Sequence, residues 1–413
     1  MAMTEMAATN STAPENNQLP LAGIRVLEFC HTIMGPTAGP ILADLGADVI
    51  KIEPAEGDAT RRLPGFAAGF FPAFNRNKRS LAVDLKSDDG RALLHRLAAR
   101  ADVALENYAP GTMDRLGCGY DDFARLNPRL IFCALKGFLS GPYEHRPALD
   151  EVVQFMSGMA YMTGPPGQPL RAGSSVVDIM GGMFAVIAIQ AALRERERTG
   201  RGQLVKSALF EATSFLMMQH MAAQALTGRA PPPMPAREGA WAVYEPFVTL
   251  DGEQIFVGIT SDRHWRRFCE HFERPDLLAD PAYKTNEDRV RERPKLLPIV
   301  AEIVKQYPRA KLAEIFERIA IPFSPVAKPG DLFDDPQLNA FNRMLELDLP
   351  NGKRAKIPRM PMEIGTHDLA LRRQPPKIGE HSAEILAELG LTPGEIAALT
   401  KNKVVAVDGG PIQ

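Results

Sequence analysis

The stretch that most constrains this chain lies near its start. A short apolar run, Ile24 to Phe29, is followed by a Gly35-Pro36 break, a helical stretch from Thr37 to Leu45 and a second apolar run from Val49 to Glu53. Runs this short suit strands, and the intervening repeat suits a helix, so the segment reads as a βαβ unit. The pattern recurs downstream. Ser80 to Leu85 reads as a strand, Ser87 as the cap of an amphipathic helix through Ala99, and Asp102 to Glu106, Leu130 to Leu135 and Gln203 to Ser207 as further strands. Elements alternating in this way predict an α/β fold with a mostly parallel sheet covered by helices.

A chain of 413 residues exceeds one ordinary core and suggests a second, smaller domain. Residues 1–20 are polar and read as a flexible arm, and 21–227 as the main part of the large domain. Within it, Ile179 to Leu193 is strongly apolar but interrupted by Gly181, Gly182 and Gln190. It falls short of the ~20 residues that span a bilayer and reads as a buried core helix. Leu209 to Leu226 reads as a second helix whose methionines pack in the core.

The proline-rich segment 228–240 cannot continue a helix and predicts an extended linker. Residues 241–346 then read as a small α+β domain. It holds a hairpin around Asp251-Gly252 and helices near Asp262 to Glu273, Leu297 to Gln306 and Arg309 to Ile319. Residues 347–413 read as a return to the large domain.

Lys and Arg total 48 against 50 Asp and Glu, a balance without the global field expected of a nucleic-acid or anionic-membrane partner. Four scattered cysteines, with no metal spacing, and an N-terminus without a signal-peptide pattern predict a cytoplasmic protein with reduced thiols.

Cys30 to Pro36 lacks G-x-G-x-x-G, and no Walker-type Gly-Lys-Ser/Thr follows it, which argues against nicotinamide and nucleoside-triphosphate chemistry. The Gly35 turn is either a plain connection or a source of backbone N–H groups for an oxyanion, with His31 beside it. Arg61, Arg62, Arg76, Lys78, Arg79, Lys86 and Arg115 form a solvated face or a site for an acidic ligand. Asp178 stands before an apolar helix as an ordinary N-cap, or as a nucleophilic carboxylate whose pKa the helix N–H groups hold down. There, Gly181 and Gly182 would let a bulky ligand approach. The histidines fit neither a Ser-His-Asp hydrolase nor a zinc motif, and no metal is expected.

Several segments in order resemble the family III CoA-transferases, the group that includes formyl-CoA and carnitine CoA-transferases. They are LAGIRVLEF (Leu21 to Phe29), LADLGADVIKIE (Leu42 to Glu53), NRNKRSLAVDLK (Asn75 to Lys86), ADVALENYAPGTMDRLG (Ala101 to Gly117), NPRLIFCALKGF (Asn127 to Phe138) and RTGRGQLV (Arg198 to Val205).

The resemblance implies a Rossmann-like large domain built from both chain ends and an interlaced, ring-shaped homodimer. It implies Asp178 as the covalent nucleophile, Thr32 and Met34 as backbone contacts to CoA, and Val83, Lys86, Asn107, Tyr108 and Arg115 around its nucleotide and diphosphate. An acyl-CoA and a free carboxylate would be the substrates, with no permanently bound cofactor. A second anion on the acid would meet Arg61, Arg76 or Arg237, which predicts succinyl-CoA as donor and 3-sulfinopropionate or a dicarboxylate as acceptor.

Three departures stand out. Pro54 replaces an Arg and Ala148 a Lys of formyl-CoA transferase, and Arg237, Glu238 and Gly239 stand near the position of its glycine-rich closing loop. The alternatives are a racemase of α-methylacyl-CoA type and a non-catalytic acyl-CoA-binding protein. A racemase needs a proton-moving group where this chain has Leu149, and leucine moves none.

Overall fold

A computed structural model describes residues 18–236, 239–365 and 367–407, so most of the expected N-terminal arm and the segment Arg237-Glu238 lie outside the described residues. The chain divides into two compact units, one running to Pro235 and resuming at Phe341, the other spanning Ala236–Ala340.

The first unit is built on a seven-stranded sheet. Its strands in chain order are β1 (Arg25–Phe29), β2 (Asp48–Glu53), β3 (Arg79–Val83), β4 (Val103–Glu106), β5 (Ile131–Lys136) and β6 (Leu204–Ala208), with a late edge strand Val405–Ala406. Across the sheet the order is Val405–Ala406, β3, β2, β1, β4, β5, β6. All pairings are parallel except the late strand, which runs antiparallel to β3. The α/β expectation therefore holds, with each predicted strand displaced by a residue or two. β1 to β5 are buried on both faces, as parallel strands with helices on either side must be. Alternate residues of β1 serve two cores: Val26 joins the one beneath the helix Val176–Thr199, and Leu27 joins the one beneath Asp88–Ala98 and Ser382–Glu388.

The first helix, Met34–Asp44, packs on the long helix Val176–Thr199. At 24 residues the long helix exceeds the predicted apolar stretch, and its length and composition alone would let it cross a membrane. Here it covers the sheet through Val177, Ala185, Ile189 and Leu193. Its glycines serve packing rather than ligand approach, contrary to expectation. A Cβ on Gly181 would lie 2.6 Å from Met34 Cε, and one on Gly182 would lie 2.6 Å from the Met34 carbonyl oxygen. Gly182→Ala should thus lever the two helices apart and lower unfolding free energy by about 1–3 kcal/mol, read by urea denaturation.

Two further expectations fail. The stretch Leu209 to Leu226 is two helices, Leu209–Leu216 and Met218–Thr227, and its methionines are not core: Met218 is 51% and Met221 64% exposed. Four members of the basic cluster, Arg61, Arg76, Lys78 and Arg79, form neither a solvated face nor an anion site, because internal ion pairs consume them, whereas Lys86 and Arg115 are exposed. Arg61 forks onto Glu53 at 2.6 and 2.9 Å and lies over the Phe71 ring, and Arg76 pairs with Asp44 at 2.6 Å. Lys78 pairs with Glu28 at 2.7 Å, and Arg79 with Asp48, Glu384 and Glu388.

The second unit carries its own three-stranded antiparallel sheet, Val243–Val248, Gln254–Ile259 and Phe323–Pro325, with the predicted hairpin turning at Gly252, whose φ is +74°. Helices Asp262–His271, Arg293–Val304 and Arg309–Arg318 cover it around Trp265, Phe268, Leu296 and Phe316.

Candidate active site

The sheet order reverses between β1 and β4, so the chain leaves their carboxyl ends in opposite directions and opens a crevice there, the usual ligand position in such folds. The turn after β1 lies in that crevice and is held from three sides. Asn107, one residue past β4, accepts the His31 N–H at 3.0 Å and donates to the His31 carbonyl at 2.9 Å. Thr32, in the left-handed region at φ +65°, donates its N–H to Thr60 Oγ1 at 2.9 Å. The buried Lys51 ammonium donates to the Cys30 carbonyl at 2.7 Å while pairing with Asp58 at 2.8 Å. A left-handed non-glycine residue is strained, and it persists because its surroundings over-determine it.

Tyr108 stacks on His31 with ring centroids 5.7 Å apart. Together with Pro54 and Thr60 these residues line a cavity of about 240 Å³. Of the other residues implied for the nucleotide, Lys86 and Arg115 are exposed past β3 and β4, and Arg115 donates to Thr112 at 2.9 Å. The Val83 side chain is fully buried in the core, opposite Val405, which leaves it no surface for a ligand.

The same turn reaches the long helix, because Met34 covers Gly181. Asp178 sits there, but it is not the cap: the N-cap residue is Ser175, and Asp178 occupies the first turn. The capping carboxylate is the buried Asp150, from the helix Asp150–Met156. Its Oδ2 accepts the N–H groups of Val177 at 3.0 Å and Asp178 at 3.1 Å, and its Oδ1 accepts from Gln154 at 2.5 Å. The expected pKa is therefore reversed. Burial first, and the neighbouring Asp150 charge second, push the Asp178 carboxyl up to about 7 against the opposing pull of Arg171.

Ser175 and Ile179, flanking Asp178 in sequence, line a second cavity of about 390 Å³ with Ile33, Phe66, Phe70 and Arg171. Arg171 pairs with Glu151 and lies 3.7 Å from Asp150. Leu149 precedes that helix with its side chain 70% exposed. The structure thus brings the turn of His31, Thr32, Met34 and Gly35 together with Asn107 and Tyr108, links it through Met34 to Gly181 on the helix of Asp178, and holds Arg61 and Arg76 as structural pairs, while Arg237 lies outside the described residues. Asp150, Gln154 and Arg171 carry no sequence signal of their own. Only the position of Asp150 beside Leu149 could have drawn attention to it.

The model of CoA-transferase family III matches residues 21–382. A succinate–glutarate CoA-transferase of Agrobacterium fabrum is 36% identical over 387 residues, covering 91% of this chain and 96% of the relative. A human succinyl-CoA:glutarate CoA-transferase is 32% identical over 382 residues, covering 91% and 87%. The crystal structure of a CAIB/BAIF family protein from Brucella suis superposes with a TM-score of 0.82 at 35% identity, covering 90% of this chain and all of that one. The chain belongs to the family III CoA-transferases, enzymes whose substrates are CoA thioesters.

Proposed function

We propose that this enzyme moves CoA from succinyl-CoA to a free acid carrying a second anionic group, with Asp178 as the covalent nucleophile. The observation that carries this reading is the Asp178 carboxyl, raised to about 7 by burial and Asp150, on the helix start whose Ser175 and Ile179 line a cavity. Once ionised, such a carboxylate is poorly solvated and more basic than an exposed one, hence more nucleophilic.

The carboxylate attacks the donor thioester carbonyl, forming a C–O bond and expelling CoA thiolate, a good leaving group by its thiol pKa of ~8.5. The thiolate then attacks the aspartyl carbonyl of the mixed anhydride, which frees the donor acid and leaves an aspartyl-CoA thioester. The acceptor carboxylate attacks that thioester and releases the thiolate again. A last attack on the acceptor acyl carbonyl yields the new CoA thioester and restores Asp178. Asp150 already occupies the N–H groups of Val177 and Asp178. The start of the first helix, at Met34 and Gly35, therefore supplies the N–H groups for the tetrahedral oxyanions.

The CoA nucleotide takes the cavity of His31, Pro54 and Tyr108, contacting the Thr32 and Met34 backbone, with Lys86 and Arg115 towards the diphosphate, and the acid takes the cavity of Ile33, Phe66 and Arg171. The two glutarate-named relatives favour a dicarboxylate acceptor over 3-sulfinopropionate. In a homodimer, a second copy would cover the exposed apolar side chains Met183, Ile187, Phe215 and Met221.

Incubation with succinyl-CoA followed by hydroxylamine should leave a hydroxamate on the peptide containing Asp178. Peptide mass spectrometry reads it, and an unmodified Asp178 after several good donors would remove the covalent mechanism.

A further inference from the structure

Arg61 and Arg76, expected to meet the acid, are spent on Glu53 and Asp44, and Arg237 lies outside the described residues, which leaves open what recognises its second anionic group. Arg171 occupies the place they were expected to hold. It lines the 390 Å³ cavity with Ser175 and Ile179, on either side of Asp178 in sequence. Its Nε–H donates to the Ala172 carbonyl at 3.0 Å, and one terminal nitrogen pairs with Glu151. The other terminal nitrogen lies 3.7 Å from Asp150 Oδ1, beyond hydrogen-bonding distance, and so retains donors for a ligand.

Asp150 fixes the spacing. One of its oxygens faces Arg171, and the other accepts the Asp178 N–H at 3.1 Å. The Arg171 guanidinium and the Asp178 backbone therefore flank a single carboxylate. Phe66 and Phe70, edge to face with centroids 5.6 Å apart, give the same cavity an apolar wall suited to the methylenes of an acid. Glu151 is half-exposed, its side chain 58% accessible, so an incoming carboxylate displaces a surface pair of little worth.

We propose that Arg171 receives the distal carboxylate of the acid, making this a transferase for short-chain dicarboxylates, with the methylenes against Phe66 and Phe70. The assignment rests on the reading of Asp178 as the nucleophile. Succinyl-CoA and the acceptor acid present the same distal group in turn, so one guanidinium serves both half-reactions.

The test compares glutarate with pentanoate, which has the same chain length and one carboxylate fewer, using succinyl-CoA as donor throughout. In ping-pong kinetics, kcat/KM for the acceptor reports the second half-reaction alone. Arg171→Gln should lower the ratio of kcat/KM for glutarate over pentanoate by about tenfold to a hundredfold, the worth of a charge-assisted hydrogen bond. Arg171→Lys should restore part of it. Any change in Asp178 basicity acts on both acids and cancels in the ratio.

An unchanged ratio, with both acids losing equally, would overturn the assignment and make Arg171 a support for Asp150. Should the variants not fold, phenylglyoxal labelling of the unmodified enzyme replaces them. Glutarate should slow modification of Arg171 and pentanoate should not, and equal rates with both acids would overturn the proposal. The hydroxamate trap separates the two readings. An Asp178 adduct together with an unchanged ratio removes Arg171 alone, whereas no adduct in the unmodified enzyme removes the transferase mechanism beneath it.

Discussion

Asp178→Asn is expected to abolish CoA transfer and to stabilise the protein. The loss of activity should be at least about a thousandfold in kcat, as for other covalent nucleophiles, with the Asp178 hydroxamate absent. The gain in stability follows from the raised pKa. The folded enzyme binds the Asp178 proton with a pKa of about 7, above the unfolded value of about 3.9. A carboxyl whose folded pKa is raised costs nothing below the unfolded pKa, where it is protonated in both states. The cost grows as pH rises between the two values and is complete above the folded one. At pH 8 the ionised group opposes folding by on the order of 4 kcal/mol, and asparagine removes that charge. The variant should therefore melt a few degrees higher than the unmodified enzyme at pH 8 and nearly level with it at pH 4. A variant less stable at pH 8 would mean that the carboxylate is favourably solvated in the fold, and the burial argument would fail.

Asp150→Asn is expected to damage the same site from the opposite direction. The asparagine oxygen can keep the N–H groups of Val177 and Asp178 but brings an amide where Gln154 now donates at 2.5 Å. Gln154 cannot simply turn over, because its own oxygen accepts the Ala172 N–H at 2.8 Å. Loss of that bond and of a charged acceptor at a helix N-terminus should cost about 1–3 kcal/mol. Removing the negative charge also lets the Asp178 pKa fall. In the unmodified enzyme, the rate of adduct formation from succinyl-CoA should rise with pH through about 7 as Asp178 ionises. In Asp150→Asn that limb should move to lower pH by about a unit, while the plateau rate drops about tenfold to a hundredfold as Asp178 loses basicity and its fixed position. A limb that stays in place would show that Asp150 does not set the basicity of the nucleophile.

What could be read in advance follows the range of the forces involved. The strands, the Ser87-capped helix and the Asp251-Gly252 hairpin were legible because each depends on neighbours within a few residues. Ser87 accepts from Gly90, three residues on, and the hairpin turns on one left-handed glycine. The arginine-rich segment was illegible for the same reason in reverse. Arg76 meets Asp44 from 32 residues away and Arg79 meets Glu388 from 309, and no local pattern separates such partners from an awaiting ligand. The Met218–Thr227 helix misled differently. An apolar face implies a cover, but it does not say whether that cover lies in the same chain.

Asp178 divides along this line. The alternation of short apolar runs with helical periodicity determined a parallel sheet, a long helix after Gly173 and an aspartate at its start, since backbone periodicity and capping are local. Tertiary structure alone decided that Asp150, 28 residues earlier, would cap that helix. Asp178 is thereby left buried beside a second carboxylate, and its proton affinity rises rather than falls. Charge energetics depend on burial and on partners brought together by folding, and those are not local properties of a sequence.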